Sequence, residues 1–418
     1  MATTAVLAAK YMTRFRCLAG DCEATCCGGG TIPVEESSHR RLTVLADGDS
    51  GALELIERGI ERTPGGPDFA RIRFDEAGEC SLRDSAGLCK VHQRFGHAAL
   101  FAVCATYPRY ASKVDDDVEL FGTLACPEVA RLALLAEDAF ELAHFTLEEP
   151  PRVFRNQFET QQPYHRSYKA VRAALVRLIG EPAYTLTEKL FVMLWIADKL
   201  KGVLRQGAPS VPPAELDQAL GVLSQPEVLT SLAASFRALD LDGGLAFSVI
   251  TASLRPPPEP RRGTQTAGFD AIWLNVVARC GEALAPGSTP TEAELSEAWS
   301  RYARLAAELP KASDARIDLL LARYLANHLL TTPYMLSSSL LDYVYDLVVH
   351  AASLRFLLVT ELDAETNLDA QVVRVTYCFI RAVEHSAGPA ALRQALRAQG
   401  LDGLPHAVGF LALWRAVP

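Results

Sequence analysis

The sequence predicts a mainly α-helical fold, in which an N-terminal irregular, cysteine-rich metal-binding module is followed by an all-helical body. Eight of the ten cysteines lie between Cys17 and Cys126, in the first third of the 418 residues. From about Val129 onwards, apolar residues recur at the spacing of amphipathic helices. Hydrophobic residues make up 49% of the chain and charged residues 22%, as in an ordinary globular protein with a large core.

The chain divides into four parts by the texture of its sequence. Residues 1–130 are rich in glycine, cysteine and turn residues, with short strand-like pieces such as Phe69–Phe74. Residues 131–254 and 268–418 have helical periodicity and are predicted to form two helical domains. Residues 255–267 contain three successive prolines and are the predicted linker, because such a segment can neither continue a helix nor form a core.

Within the first helical part, the spacing of apolar residues predicts helices over residues 130–145 and 167–180. Residues 185–207 are predicted to form a long, mostly buried helix, because apolar residues occupy most of its faces. Further helices are predicted over residues 214–223, 315–330, 340–359, 372–383 and 390–399. No fixed-period repeat accompanies these helices, so the pattern favours a globular bundle over a repeat array.

The helix predicted over residues 288–309 has the clearest start signal. Thr289 is the predicted N-cap, Pro290 occupies the first helical position, and Glu292 follows three residues after the cap. This order of residue types is typical of a capping box, in which cap and acidic side chain each bond to the other's backbone.

Charge and hydropathy exclude two classes of partner. The net charge of −9 and the pI near 5.6 repel phosphate backbones, and the longest basic runs are two or three residues, so we expect no nucleic-acid partner. The longest apolar stretches, around Leu190–Ala197 and Tyr343–Val349, are shorter than the roughly 20 residues that span a bilayer. The N-terminus lacks the basic stretch of a secretory signal. We therefore expect a cytoplasmic protein with no membrane partner.

The cysteines point to a metal site. In the reducing cytosol clustered thiols rarely persist as disulfides, whereas thiolates bind zinc and iron–sulfur clusters, four to a site. The spacing leaves open one site or two, and iron–sulfur or zinc; buried thiols without a ligand are the structural alternative. The predicted ligands are Cys17, Cys22, Cys26, Cys27, Cys80, Cys89, Cys104 and Cys126.

The remaining cysteine and glycine patterns narrow the choice. A radical S-adenosylmethionine motif, C-x3-C-x2-C, would begin at Cys22 and Cys26, but Gly29 occupies the third position. The glycines at 28–30 follow a cysteine pair and not a strand, so they favour a sharp turn around a metal over a nucleotide site. Cys280 and Cys378 stand alone in apolar helices and are predicted to be buried small hydrophobes.

Three stretches carry a family resemblance: "KYMTRFRCLAGDCEATCC" (Lys10–Cys27), "GLCKVHQRFGHAALFAVCATYPRY" (Gly87–Tyr110) and "ACPEVARLAL" (Ala125–Leu134). Together they resemble the flagellin lysine N-methylase family. The resemblance implies methyl transfer from S-adenosylmethionine to lysine side chains of flagellin or another surface protein. It also implies a cysteine-bound [4Fe-4S] cluster, with zinc as the alternative. A non-catalytic zinc- or cluster-binding interaction or sensor protein is the second hypothesis.

Three residues are the candidates for catalysis. Tyr11 and Tyr107 each stand near a predicted ligand and are candidates for lining the site, with packed core tyrosines as the structural alternative. Arg109 is a candidate for holding a carboxylate of cofactor or substrate; the alternative is a structural ion pair, with Glu128 as a candidate partner.

The family resemblance adds Tyr324 and Asn327, an aromatic–Asn element in the helical part, as residues facing the active site. The structural alternative is a polar contact between helices. The sequence contains no glycine-rich nucleotide loop, so the S-adenosylmethionine pocket is left without assigned residues and must differ from a Rossmann-type pocket.

Overall fold

A computed structural model describes residues 4–28, 32–209, 212–259, 264–362 and 367–415, and in these residues the protein is mainly helical. The helices are α1 (Lys10–Arg14), α2 (Glu36–Leu45), α3 (Ser50–Gly59), α4 (Lys90–Phe95), α5 (Ala102–Thr106), α6 (Pro127–Leu135), α7 (Tyr168–Gly180), α8 (Leu186–Leu200), α9 (Pro213–Gly221), α10 (Pro226–Arg237), α11 (Gly244–Leu254), α12 (Thr264–Cys280), α13 (Glu292–Ala307), α14 (Lys311–Thr331), α15 (Leu340–Glu361), α16 (Leu368–Phe379), α17 (Gly388–Ala398) and α18 (Leu404–Gly409). A π-helical turn, Ile380–Glu384, follows α16 directly.

Two small sheets accompany the helices. The strands are β1 (Thr4–Ala9), β2 (Pro33–Val34), β3 (Ile60–Arg62), β4 (Ala70–Ile72), β5 (Arg109–Val114), β6 (Asp117–Gly122), β7 (Leu142–Leu147) and β8 (Asn156–Phe158). The larger sheet has the order β7-β1-β6-β5-β8, in which the β1–β6 and β5–β8 pairs are parallel and the others antiparallel. The smaller sheet, β2-β4-β3, is antiparallel and contains the predicted strand-like piece around Ala70–Ile72.

The strands of the larger sheet correct the sequence-based prediction in two places. The first third is not irregular, since it supplies three strands of the larger sheet, and the body after residue 130 is not all helical. The helix predicted over 130–145 ends at Leu135, and Leu142–Leu147 instead pairs with β1 along its whole length. The apolar spacing there is compatible with either structure, and pairing with the edge of β1 decides it.

A single large core joins the helices on both sides of the proline-rich segment. Helices α8, α12, α14, α15 and α16 pack on one another there, and the two isolated cysteines, Cys280 and Cys378, are buried in it as predicted. Residues 255–259 connect α11 to this arrangement without helix, but α12 already begins at Thr264, inside the predicted linker. Residues 260–263 lie outside the described residues.

Helix α15 forms the centre of the core. Within the part of the chain that the structure describes, it is the one helix long and apolar enough to cross a membrane, and 94% of its apolar window is buried inside the molecule. The apolar stretch predicted from the sequence, Tyr343–Val349, is shorter because Asp342 and His350 border it. Burial on nearly every face is the mark of a core helix in a globular body.

The start of α13 also differs from the prediction. Thr291, and not Thr289, is the N-cap: its hydroxyl accepts a hydrogen bond from the Glu294 amide, and the Glu294 carboxylate accepts one from the Thr291 amide at 2.8 Å. Both threonines are followed three residues later by a glutamate, so the sequence pattern suits either position, and the observed motif is shifted by two residues.

Candidate functional site

The eight predicted metal ligands come together from separate segments of the N-terminal third. Cys17, Cys22, Cys26 and Cys27 lie in the segment after α1, and Cys104 is in α5. Cys89 and Cys126 are the N-cap residues of α4 and α6, and Cys80 forms an isolated β-bridge with Phe74. All eight are free thiols. We call them the thiol array; by the electrostatic influence that the thiols have on one another they divide into two sets of four.

The first set consists of Cys27, Cys80, Cys89 and Cys104, which pack around the smaller hydrophobic core between α2, α3 and the small sheet. The Cys80 amide donates a hydrogen bond to the Cys27 carbonyl at 2.9 Å, which fixes these two residues side by side. Burial, with a contribution from the charge of Cys27, raises the pKa of the Cys80 thiol to about 11. Burial and the charge of Cys27 act in the same direction on the pKa of Cys89 and Cys104.

The second set consists of Cys17, Cys22, Cys26 and Cys126. Burial raises the pKa of Cys22, with a contribution from the charge of Cys17, and burial raises the pKa of Cys126 to about 11, with a contribution from Cys22. The Cys26 and Cys27 sulfurs, 4.0 Å apart, join the two sets. Donation from the Cys26 thiol raises the pKa of Cys26 and lowers that of Cys27 to about 6.

The thiol array fits an iron–sulfur cluster in the kind and number of its donors. Each set offers the four thiolates that one cluster or one zinc ion takes. A zinc ion with four thiolates at ~2.3 Å holds their sulfurs only about 3.8 Å apart, whereas a cubane cluster spreads them wider. Among the described residues, three possible ligand atoms lie within 4.8 Å of one another in one group, and that group contains no cysteine. The donors of the thiol array therefore suit either a cluster or a zinc ion in kind and number.

Arg381, in the π-helical turn, ties the helical body to the thiol array. Its guanidinium donates to the Ala125 carbonyl at 2.7 Å and to the Ala24 and Thr25 carbonyls at 3.2 Å, although these residues are about 250 to 360 positions away along the chain. Because the Arg381 side chain is buried, its guanidinium, and not water, supplies the hydrogen-bond donors that these three carbonyls need. Arg381 thereby holds both the loop before Cys26 and the residue before Cys126.

A cavity of about 230 Å³ lies next to the segment that precedes Cys126 and next to the π-helical turn. Thr123 and Leu124, which precede Cys126, line it together with residues of α14, α15 and the π-helical turn. Tyr110, Tyr324 and Tyr343 contribute aromatic rings to it. The remaining lining residues are Arg155, Asn327, His328, Thr331, Thr332, Leu336, Ser337, Asp346, His350, Ile380, Glu384, His385, Pro389 and Arg393.

Three ionisable side chains meet in this cavity. Nδ1 of His328 lies 3.9 Å from one oxygen of Glu384, and Nδ1 of His350 lies 3.9 Å from the other. Burial lowers the pKa of His328 to about 3 and that of His350 to about 4, and it raises the pKa of Glu384 to about 7. The Tyr324 hydroxyl donates a short hydrogen bond to Glu384. We call His328, His350 and Glu384 the cavity triad.

Asn327 connects the cavity to the sheet. Its side-chain oxygen accepts a hydrogen bond of 2.6 Å from the Tyr11 hydroxyl, and its amide nitrogen donates to the Gly122 carbonyl at 3.1 Å. The Gly122 amide in turn donates to the Tyr11 oxygen at 2.8 Å. Tyr11 is fully buried in this network, one layer behind the cavity, while Tyr324 and Asn327 line the cavity.

The other two predicted catalytic residues lie beside the thiol array. Tyr107 is half-buried against the main core, where Arg381, Cys26 and Cys126 are near enough to influence its pKa, which burial raises. The Arg109 guanidinium lies over the Phe15 ring, 5.1 Å from its centroid. Tyr11, Tyr107 and Arg109 are not among the described residues that line the cavity.

Glu128, the predicted partner of Arg109, has a different partner. Its carboxylate forms a short ion pair with Arg131, one turn further along α6, and Arg131 also reaches Glu23 at 2.5 Å. The spacing of three residues on a helix brings Glu128 and Arg131 together, whereas Arg109 lies on β5. The ion pair expected for Arg109 is therefore replaced by its contact with Phe15.

Sequence reasoning missed His350, Glu384 and Arg381. The available signal was weak but present: each is an ionisable residue within a run of apolar residues whose helical spacing predicts burial. Such residues either pair with one another or belong to a site. Which residue meets which depends on how α14, α15 and the π-helical turn pack, and the sequence alone does not contain that.

Comparison with known proteins gives the chain its family. The profile of the FliB lysine N-methylase C-terminal domain matches residues 172–410, more than half of the chain. The chain belongs to the FliB lysine N-methylase family. The matched residues contain the cavity triad, Asn327 and Arg381, whereas the thiol array precedes the match.

Individual relatives agree with this family. The chain is 24% identical over 186 residues to a lysine-N-methylase of Salmonella typhimurium, a match that covers 44% of each chain. It is 26% identical over 156 residues to the flagellar biosynthetic protein FliU of Salmonella muenchen, covering 37% of this chain and 91% of that protein. The chain thus spans less than half the length of the lysine-N-methylases it matches. No solved structure matches it.

Proposed function

We propose that this protein is an S-adenosylmethionine-dependent protein-lysine N-methylase and that the target lysine is methylated in the cavity. The observation that carries the proposal is membership of the FliB lysine N-methylase family, combined with a cavity built from residues inside the matched region. The names of the relatives, lysine-N-methylase and flagellar biosynthetic protein, make flagellin or a similar surface protein the substrate we propose.

The cavity suits the chemistry of this transfer. Attack on a sulfonium methyl group needs a neutral amine, whereas a free lysine titrates near 10.4. Removal from water and a neighbouring positive charge both lower the pKa of an amine. The cavity supplies both, because it is partly enclosed and Arg155 lies on its wall, stacked on the Tyr110 ring at 4.1 Å.

Aromatic rings complete the environment for a cationic methyl donor. Tyr110, Tyr324 and Tyr343 line the cavity, and a sulfonium or an alkylated ammonium is attracted to the negative face of aromatic rings. Leu336, at the cavity and 66% exposed, offers an apolar contact for the backbone that carries the target lysine. We propose that Tyr11 acts as a positioning residue, since it holds Asn327 against the strand beside the cavity.

We further propose that the thiol array holds a [4Fe-4S] cluster, with zinc as the alternative. When bound, the cluster cross-links segments of the N-terminal third that are otherwise joined only by loops. Tyr107 and Arg109, beside the array, position these loops in our proposal, and Arg381 connects them to the cavity wall. The cytoplasm is the compartment we propose, because it keeps the thiols reduced until the cluster is assembled.

The test is methyl transfer by the full-length chain under anaerobic conditions. The protein is incubated with isotopically labelled S-adenosylmethionine and purified flagellin, and peptides are examined by mass spectrometry for labelled methyl groups on lysine. Tyr110→Ala should lower the rate about tenfold, since it removes a ring from the cavity. Tyr184→Ala, which removes a tyrosine bonded to Thr230 far from the cavity, is the matched control and should retain the rate.

The products separate the possible outcomes. Labelled lysine together with S-adenosylhomocysteine supports the proposal, and 5′-deoxyadenosine as a product would contradict the direct transfer. If flagellin and the other proteins of a cell extract all remain unlabelled, the non-catalytic metal-binding alternative replaces the methylase.

A further inference from the structure

The cavity triad has a geometry that hydrogen bonding does not explain. Each histidine Nδ1 faces a different oxygen of Glu384 at 3.9 Å, which is too long for a hydrogen bond. One ligand atom from each of the three residues lies within 4.8 Å of the other two. The three donors therefore surround a common point without touching each other.

His350 supplies a second, independent observation. The residue is only 8% exposed, and its Nδ1 atom has no hydrogen-bond partner among the described residues. A buried nitrogen without a hydrogen-bond partner is destabilising, so proteins rarely keep one without a use for it. This nitrogen points at Glu384 across the cavity, where an ion or water would satisfy it.

The surrounding elements hold the three side chains in place. His328 lies on α14 and His350 on α15, and their rings meet edge to face with centroids 5.7 Å apart. Glu384 ends the π-helical turn, a local widening of the helix that is frequent at functional sites. Tyr324, one turn before His328, donates to Glu384 and fixes the direction of its carboxylate, as residues behind metal ligands do.

We propose that His328, His350 and Glu384 bind a divalent transition-metal ion in the cavity. Two imidazoles and one carboxylate are the donor set of zinc, iron(II), manganese(II) and cobalt(II) sites. Around an ion with bonds of ~2.0–2.2 Å, neighbouring ligand atoms lie about 3.0–3.4 Å apart. The ligand atoms lie 3.9 Å apart in each histidine–glutamate pair and within 4.8 Å overall, so inward movements of up to about 1 Å in each side chain would bring them to these distances.

Charges around the triad are compatible with a cation of this class. Glu384 contributes a negative charge, and Arg155 is the positive side chain close enough to affect it. Arg155 is held over Tyr110, and the second arginine on the cavity wall, Arg393, is neutralised by its ion pair with Asp346. Three protein ligands leave further coordination positions open towards the cavity, as in metal sites that bind a substrate or water.

This site goes beyond lysine methylation and is distinct from the thiol array, so it is tested by metal binding and not by activity. The full-length chain, purified with its thiol array intact, is brought to equilibrium dialysis against Co²⁺, and bound cobalt is measured by mass spectrometry. The triad variants are His350→Ala and Glu384→Gln. The matched control is His144→Ala, which removes an exposed histidine on β7.

The wild type and the His144→Ala control should hold one Co²⁺ per chain more than either triad variant at the same free concentration. Cobalt bound by cysteines is common to all four proteins and cancels in this difference. Glu384→Gln keeps the shape of the side chain, so equal circular dichroism and melting temperature should show that it folds normally. Equal cobalt in all four proteins, including none in any of them, would overturn the proposal and leave a water molecule between the three side chains.

Discussion

At the scale of residues, the structure shows the contacts of side chains that the sequence identifies only as candidates. Tyr11 was predicted as a candidate for lining the site, yet it lies one layer behind the cavity and bonds to both Asn327 and Gly122. The sequence pointed to Tyr11 and Asn327 separately, 316 positions apart, but contained nothing to pair them. A contact between such distant residues follows from packing of α1 and β6 on α14, which is a property of the whole fold.

The Tyr11 network predicts a stability effect. Tyr11→Phe removes the hydroxyl that serves the Gly122 amide and Asn327, leaving buried polar atoms without partners. We expect the free energy of unfolding to fall by about 1–3 kcal/mol, measured by denaturant titration. Tyr184→Phe, whose hydroxyl bonds to Thr230 at an exposed position, is the matched control and should change it by less than about 0.5 kcal/mol. Equal losses in both variants would show that the buried network adds nothing.

At the scale of elements, local periodicity predicted most helices of the body, among them α7, α9, α14 and α15, because their apolar faces pack on one core. It was wrong at 142–147, where pairing with β1 outweighs a pattern that suits helix and strand alike. It also could not predict the π-helical turn after α16, since one extra residue in a helix leaves little trace in the spacing of apolar residues.

The π-helical turn is the element that connects the two parts of the site, and this yields a prediction. Arg381→Met keeps the apolar stem but removes the donors to Ala24, Thr25 and Ala125, so the loop before Cys26 should loosen. Amide hydrogen exchange in residues 17–28 should become at least tenfold faster, while α14 and α15 stay protected.

The matched control for this change is Arg397→Met. Arg397 is an exposed residue that pairs with Asp342 and Asp402, so its loss should leave exchange in residues 17–28 unaltered. Unchanged exchange in Arg381→Met would contradict the role of the π-helical turn as the connection between body and thiol array.

At the scale of the whole molecule, the thiol array and the cavity lie on opposite sides of one wall. Residues 122–126 and the π-helical turn form that wall, with Cys126 on one side and Leu124 and Glu384 on the other. The cysteine spacing singled out the residues of the thiol array, because they lie in a few short segments of the first third of the sequence. The cavity triad lies on α14, α15 and the π-helical turn after α16. Its residues are spread over positions 328–384, so their meeting depends on tertiary packing.

The claim on which cofactor, architecture and proposed activity all depend is that the thiol array holds an iron–sulfur cluster. The direct measurement is the content of iron, sulfide and zinc in the anaerobically purified full-length chain. We predict iron and sulfide in equal amounts, about four of each per cluster. Cys27→Ser and Cys126→Ser should lower both, and Cys378→Ala, in the main core, should not. Zinc without sulfide, or thiols without any metal, would contradict the account.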